Sequence, residues 1–225
     1  MDSYPPGGDL ALAMGMIRWI LENKRYDEKF LRHANKAAAK AGGELSWTNA
    51  TWLVRTDNGR FLRASEVGIG SEDRFVALVG GRPVALDPND EVNPVVGDLE
   101  VHTTLQGIPV KSAFQLLKEA AFAHSLEFYA EEAGLPVATI ADLAREFTAH
   151  GKKAAIDFYR GPIKFTWGYY AAQAIIILNF LIGNVDHQGG LVKGGGAWDG
   201  SGTKEGQPFP VDKMHPGPSP PSGSS

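Results

Sequence analysis

The 225-residue chain contains no cysteine. That single absence removes disulfide bridges, thiolate metal sites, cysteine nucleophiles and any ligation of an iron–sulfur cluster by these residues. A basic excess is missing as well. Lys and Arg number 22 against 26 Asp and Glu, so the charge footprint of a nucleic-acid binder is absent and no nucleic-acid partner is expected. No apolar run reaches the ~20 residues a membrane span requires. The densest one, Tyr169 to Ile182, is interrupted by Gln173 and Asn179 and reads as a buried helix. Met1-Asp2-Ser3-Tyr4 lacks the basic and apolar regions of a secretory leader. G-x-S-x-G and P-loop patterns are absent, and Gly68-Ile69-Gly70 is not followed by a helical pattern. The histidines are scattered and never at metal-ligand spacing. The sequence therefore assigns no catalytic residue and no metal ligand.

What remains is an ordinary core-forming chain, 43% hydrophobic, long enough for one large domain or two small ones. It is organised around Lys152 to Gly190. Ala154-Ala155-Ile156-Asp157-Phe158 reads as a short buried strand, Arg160-Gly161-Pro162 breaks it, and the helical run to Gly183-Asn184 follows. A glycine-bearing loop between strand and helix is a common ligand position in open α/β sheets, and Arg160 and Lys164 offer positive charge beside it. Most such units are only scaffold.

Upstream, Gly7 and Gly8 precede Asp9, which reads as the N-cap of a long apolar helix. The two glycines sit where backbone amides can meet a ligand at a helix N-terminus. The bland alternative is a turn with its cap. So abrupt an opening on a buried helix suggests the interior of a longer protein. Asp27 caps a second helix, Glu28 to Ala41, closed by Gly42-Gly43, with His33 at its surface or boundary. Between residues 44 and 110 the texture turns to β. Asp57-Asn58-Gly59 and Gly80-Gly81 each separate two β-prone runs, as in hairpins, and Leu99 to Thr104 alternates like a half-buried strand. Helical patterns return at Ser112, at Ser125 to Ala133, and from Thr139 as a cap to a stop at Gly151. The chain thus divides into a helical start at 1–43, a β insert at 44–110, a helix–strand–helix return at 111–200 and a disordered tail at 201–225. Glycine-dense Gly194-Gly195-Gly196 is either a loop around a ligand or a linker.

Three pieces, PGGDLALAMGMIRWILENKRYDEKFLRHAN, GLPVATIADLAREFTAHGKKAAI and RGPIKFTWGYYAAQAIIILNFLIGNVDHQGGL, together resemble the middle of a catalytic subunit of the molybdopterin oxidoreductase (DMSO reductase) family. Within it they are most similar to the tetrathionate reductase group, with thiosulfate and polysulfide reductases near alternatives. The resemblance implies an α/β fold: part of a three-layer α/β cofactor-binding domain with a small antiparallel β insert. It implies Mo-bis(molybdopterin guanine dinucleotide) as cofactor, contacted through Gly7, Gly8 and Asp9 in one bend and Arg160, Gly161 and Lys164 in the other. Two departures stand out. Gly8 replaces a threonine common in that motif, and Lys164-Phe165 replaces Gln-His. The resemblance further implies reduction of tetrathionate or a related sulfur oxyanion in anaerobic respiration, with an iron–sulfur cluster in the full-length protein. Its implied partners are the missing N- and C-terminal parts of the polypeptide, together with separate iron–sulfur electron-transfer and membrane anchor subunits, in a periplasmic or extracytoplasmic complex. A fragment of this size would not turn over alone. An arsenate reductase, a formate dehydrogenase-like enzyme or a non-catalytic α/β scaffold are the competing readings.

Overall fold

The computed structural model describes residues 7–191. The expected tail at 201–225, Gly194-Gly195-Gly196 and Pro5-Pro6 lie outside the described residues. Helix α1, Asp9–Glu22, is the axis of the helical part. Ala13, Met16, Ile17, Ile20 and Leu21 recur at helical spacing and are all buried. Helices α4 (Ala113–Phe122), α5 (Leu126–Ala133), α6 (Val137–Ala149) and α8 (Gly168–Leu181) pack around that face. Phe30, Phe114, Ile140, Leu178 and Leu181 fill the space between them, each 2% exposed or less.

The helix ends follow local chemistry. Ser112 and Ser125 each accept a hydrogen bond from the third residue on, Gln115 and Phe128, at 3.1 Å, which satisfies a helix-end amide. Gly134 closes α5 in the left-handed conformation. Helix α6 starts earlier than Thr139 suggests. Pro136 is its N-cap, because the fixed φ of proline already orients the chain for a helix.

The expected second helix is two. Asp27 does cap α2, Glu28–Leu31, through the Phe30 amide at 2.9 Å. The chain then leaves the helix, because Ala34 N–H donates to Val95 and Gly97 N–H donates to Arg32. Asn35 restarts it as α3, Lys36–Gly42, by accepting from Ala38, while its other contacts hold Asn93 and Val95.

This excursion corrects the expectation for His33. It is 4% exposed, and its ring packs so closely on Gly42 that a Cβ there would stand 2.2 Å from it. Its Nδ1 has no partner among the described residues. Burial, reinforced by Lys29 and Lys152 against Glu44 and Asp27, lowers the imidazole's pKa. The unfolded chain therefore binds this proton more readily than the folded one. Stability is complete above the ordinary histidine pKa of ~6.5 and declines as pH falls through and below it. In urea titrations from pH 8 to 5, His33→Gln is expected to flatten that decline; an unchanged slope would assign it elsewhere.

The β part holds two small antiparallel sheets. One has the order β1 (Leu53–Arg55), β5 (Ile108–Ser112), β4 (His102–Leu105). The other is the hairpin of β2 (Phe75–Val79) and β3 (Arg82–Leu86), in which Val79 pairs with Arg82 across Gly80-Gly81. The Asn58-Gly59 turn forms, with Arg55 N–H donating to Arg60 at 2.8 Å, but among the described residues its return limb pairs with β1 only at Val54 and Phe61. The lasting partner of β1 is β5. Trp52 joins the layers: it stacks on Phe75 at 4.1 Å, and its indole N–H donates to the Ala34 carbonyl at 3.0 Å.

Both sheets are antiparallel, and no parallel sheet forms among the described residues. The expected strand at 154–158 does not form and the segment belongs to neither sheet, although Ala154 is extended. The segment's backbone bonds go instead to side chains of α8 and of the turn that follows it. Asn179 accepts from Ile156 N–H at 3.1 Å and donates to Ile156 C=O at 2.8 Å, and Asn184 donates to Ala154 C=O at 2.5 Å. Helices with small antiparallel sheets are compatible with part of an α/β domain.

Candidate functional site

One cavity of about 620 Å³ lies where α1, the 154–158 segment, residues 161–165 and the second half of α8 meet. That volume falls within the range of small-molecule sites. Its floor is apolar and comes from helix residues facing the core: Ala13 and Met16 of α1, Ile175 and Leu178 of α8. Ile156, Asp157 and Phe158 form one wall, and Gly161, Lys164 and Phe165 the more exposed mouth. Asp9 enters from the first turn of α1.

The two bends named from sequence are therefore neighbours. Asp9, Gly161 and Lys164 share the lining. Gly7 lies beside it, since a Cβ built there would stand 3.7 Å from the Phe165 ring. Its φ of +94° is a conformation that glycine adopts without cost. Gly8, not Asp9, is the N-cap of α1, and among the described residues no N-cap side chain bonds that end. Asp9 is the first helical residue, where its charge complements the helix dipole. Gly161 has no heavy atom within 4 Å of a notional Cβ, so its backbone is approachable. Its segment is not an open loop but a single helical turn, α7, Arg160–Ile163. Arg160 does not line the cavity; its guanidinium lies 5.4 Å from the Tyr159 ring.

Sequence reasoning missed Met16, Asp157 and Phe165 as lining residues. Asp157 had a signal, a lone carboxylate inside a five-residue apolar run. Met16 had none, because a buried methionine on an amphipathic helix looks like any core residue.

The lining fits a ligand carrying both hydrogen-bond donors and negative charge. Asp9 and Asp157 are acceptors that disfavour a phosphate beside them, and Lys164 is the cation that favours one. The N-terminal end of the α1 dipole also attracts anions. Purine and pterin rings bearing an amino group, joined to phosphate, have that mixed character. Among the described residues no three His, Asp or Glu side chains gather in a way that could hold a metal ion, and no helix is long and apolar enough to cross a membrane.

No protein-family profile matches the chain. Individual relatives do. A selenate reductase subunit from Mesobacillus selenatarsenatis is 50% identical over 215 residues, which is 94% of this chain and 20% of that protein. A tetrathionate reductase subunit from Salmonella typhimurium is 39% identical over 87% of the chain and 20% of its own length. Its counterpart in Archaeoglobus fulgidus, also a tetrathionate reductase subunit, is 35% identical over 83% of the chain and 16% of its own length. The chain thus spans about a fifth of the length of the curated relatives it matches. With 50% identity along nearly its whole length, the chain belongs to the DMSO reductase family of molybdenum oxidoreductases, as a segment of a catalytic subunit.

Proposed function

We propose that this segment forms one wall of the cofactor chamber of an oxyanion reductase and holds part of Mo-bis(molybdopterin guanine dinucleotide). The observation that carries the reading is the meeting of Asp9 with Gly161 and Lys164 in one cavity, although they are far apart in the chain. When bound, that cofactor supplies the two-electron chemistry at its metal. The residues of this chain bind and orient. Asp9 and Asp157 accept hydrogen bonds from ring amino groups, Lys164 and the α1 amides hold phosphate, and the apolar floor excludes water. Gly7, Gly8 and Gly161 let the backbone approach, and Arg160 acts from outside the cavity.

The substrate belongs to the selenium or sulfur oxyanions. Identity to the selenate reductase, at 50%, exceeds that to the two tetrathionate reductases, at 39% and 35%, so selenate stands beside tetrathionate as the substrate. With no cysteine in the chain, the iron–sulfur cluster of the whole enzyme is ligated by other residues. Turnover would require the rest of the polypeptide, an iron–sulfur partner and a membrane anchor, in an extracytoplasmic complex.

The test uses GDP as a probe of the 225-residue chain. Amide exchange at Gly8 and Gly161 is expected to slow on titration. Lys164→Ala should weaken binding about tenfold, the worth of one charge-assisted hydrogen bond of ~1.5 kcal/mol. Exchange at both glycines unaffected by millimolar GDP would remove the cofactor reading.

A further inference from the structure

A second pocket, of about 370 Å³, lies at the seam between α2 and the 95–97 segment and is lined by Glu28, Lys29, Arg32, His33 and Val96. Backbone carbonyls, not carboxylates, hold its two cations in place. Lys29 Nζ donates to the Gly42 carbonyl at 3.0 Å, and Arg32 Nε donates to the Gly97 carbonyl at 2.9 Å. Among the described residues Lys29 makes no ion pair, so most of its N–H donors stay unspent. The terminal nitrogens of Arg32 face Glu28 at 4.0 Å and Asp98 at 3.8 Å, too far for hydrogen bonds. The third group is His33. It is 4% exposed, and its Nδ1 has no partner among the described residues. A buried polar atom left without a partner is costly, and such an atom calls for an explanation. Lys29 and Arg32 repel a metal cation, so the lining suits an anion. Glu28 is the one acidic lining residue, and its side chain, 65% exposed, is free to turn toward solvent.

We propose that this pocket binds a tetrahedral oxyanion of the sulfate class, held by Lys29, Arg32 and His33, and that binding brings a proton onto His33. Such an anion offers several oxygens, each able to accept a charge-assisted hydrogen bond from a different direction. Lys29 and Lys152 face the imidazole and oppose that proton, Asp27 and Glu44 favour it, and Glu28 and Arg32 share the pocket. Burial holds the empty site's imidazole in its neutral form. A dianion beside the ring reverses that preference, because a nearby opposite charge favours the protonated form. Proton uptake on binding makes the affinity rise as pH falls. The proposal depends on this pocket alone and not on the cofactor contact.

The experiment titrates sodium sulfate into the 225-residue chain at pH 7.5 and at pH 5.5, with sodium chloride at matched ionic strength as the control. The His33 ring is followed by imidazole NMR. Sulfate keeps its double charge over this range, so a change in affinity comes from the protein. Binding is expected to be about fivefold or more tighter at pH 5.5, with the ring nitrogens of His33 moving to their protonated shifts. Lys29→Ala should weaken binding about tenfold, the worth of one charge-assisted hydrogen bond. Glu28→Gln removes the negative charge at the rim and should tighten binding several-fold. His33→Gln should abolish the pH dependence while keeping the affinity seen at pH 7.5. If that variant does not fold, the ring spectra of the unsubstituted chain carry the same test. The proposal is overturned if chloride reproduces the shifts, or if sulfate binds equally well at both pH values. It is equally overturned if sulfate leaves the His33 ring unmoved at pH 5.5, which would mean that water alone satisfies Nδ1.

Discussion

Gly183→Ala is expected to destabilise the chain by about 2–4 kcal/mol, a large share of the stability of an ordinary domain. Gly183 ends α8 with φ +65°. Its N–H donates to Phe180 at 3.1 Å and the Asn184 N–H donates back to Asn179 at 3.4 Å, the paired bonds that close a helix on a left-handed residue. An L side chain there costs ~1–2 kcal/mol in backbone conformation alone. Its Cβ would also stand 2.8 Å from Cγ of Phe30. Phe30 cannot yield easily. It is 0% exposed, its helix is capped by Asp27, and Lys152 lies 5.1 Å from its ring while pairing with both Asp27 and Glu44. The overlap therefore adds to the backbone cost. Urea unfolding with an unchanged slope and a lower midpoint would show it. A loss below ~0.5 kcal/mol would mean that Phe30 finds another rotamer, contrary to dense core packing.

The end of α8 was legible in the sequence because glycine has a local reason to be there. The same holds for Asp27, Ser112, Ser125 and Gly134, whose roles depend on residues three or four positions away. What was hidden depended on partners distant in the chain. Nothing near His33 announces that residues 95–97 break its helix by pairing with its backbone. Asn35 was the available clue, a capping residue in the middle of a helical run. Strand β5 was obscured because Pro109 and Lys111 blur its alternation, and its partner β1 lies over fifty positions earlier. In the candidate site, glycine and charge identified both bends, Gly7-Gly8-Asp9 and Arg160-Gly161-Lys164. They did not show that Arg160 lies outside the cavity, because a residue next to a bend can point either way.

Asn179→Leu is expected to cost about 3 kcal/mol and to loosen the wall of the cavity. This asparagine is 1% exposed in a helix that is apolar apart from Gln173 and its two N-terminal tyrosines. Its Oδ1 accepts from Ile156 N–H and from Asn184 Nδ2 at 2.8 Å, and its Nδ2 donates to the carbonyls of Ile156 and Ile175 at 2.8 and 2.9 Å. Four bonds at roughly 1 kcal/mol each set the scale, and leaving the partners unpaired raises the cost while the added apolar contact of leucine reduces it. Leucine is similar in size, so the loss reports pairing more than packing. Ile156 should change most, its amide exchange approaching that of Ala155 and Asp157, because a single side chain substitutes there for a neighbouring strand. Asn179→Asp keeps the acceptor but loses both donations and buries a charge, and it should be at least as damaging. If Asn179→Leu instead left Ile156 protected, the 154–158 segment would be held by its apolar face alone. Asn179 would then have no part in positioning Asp157 and Phe158 beside the cavity.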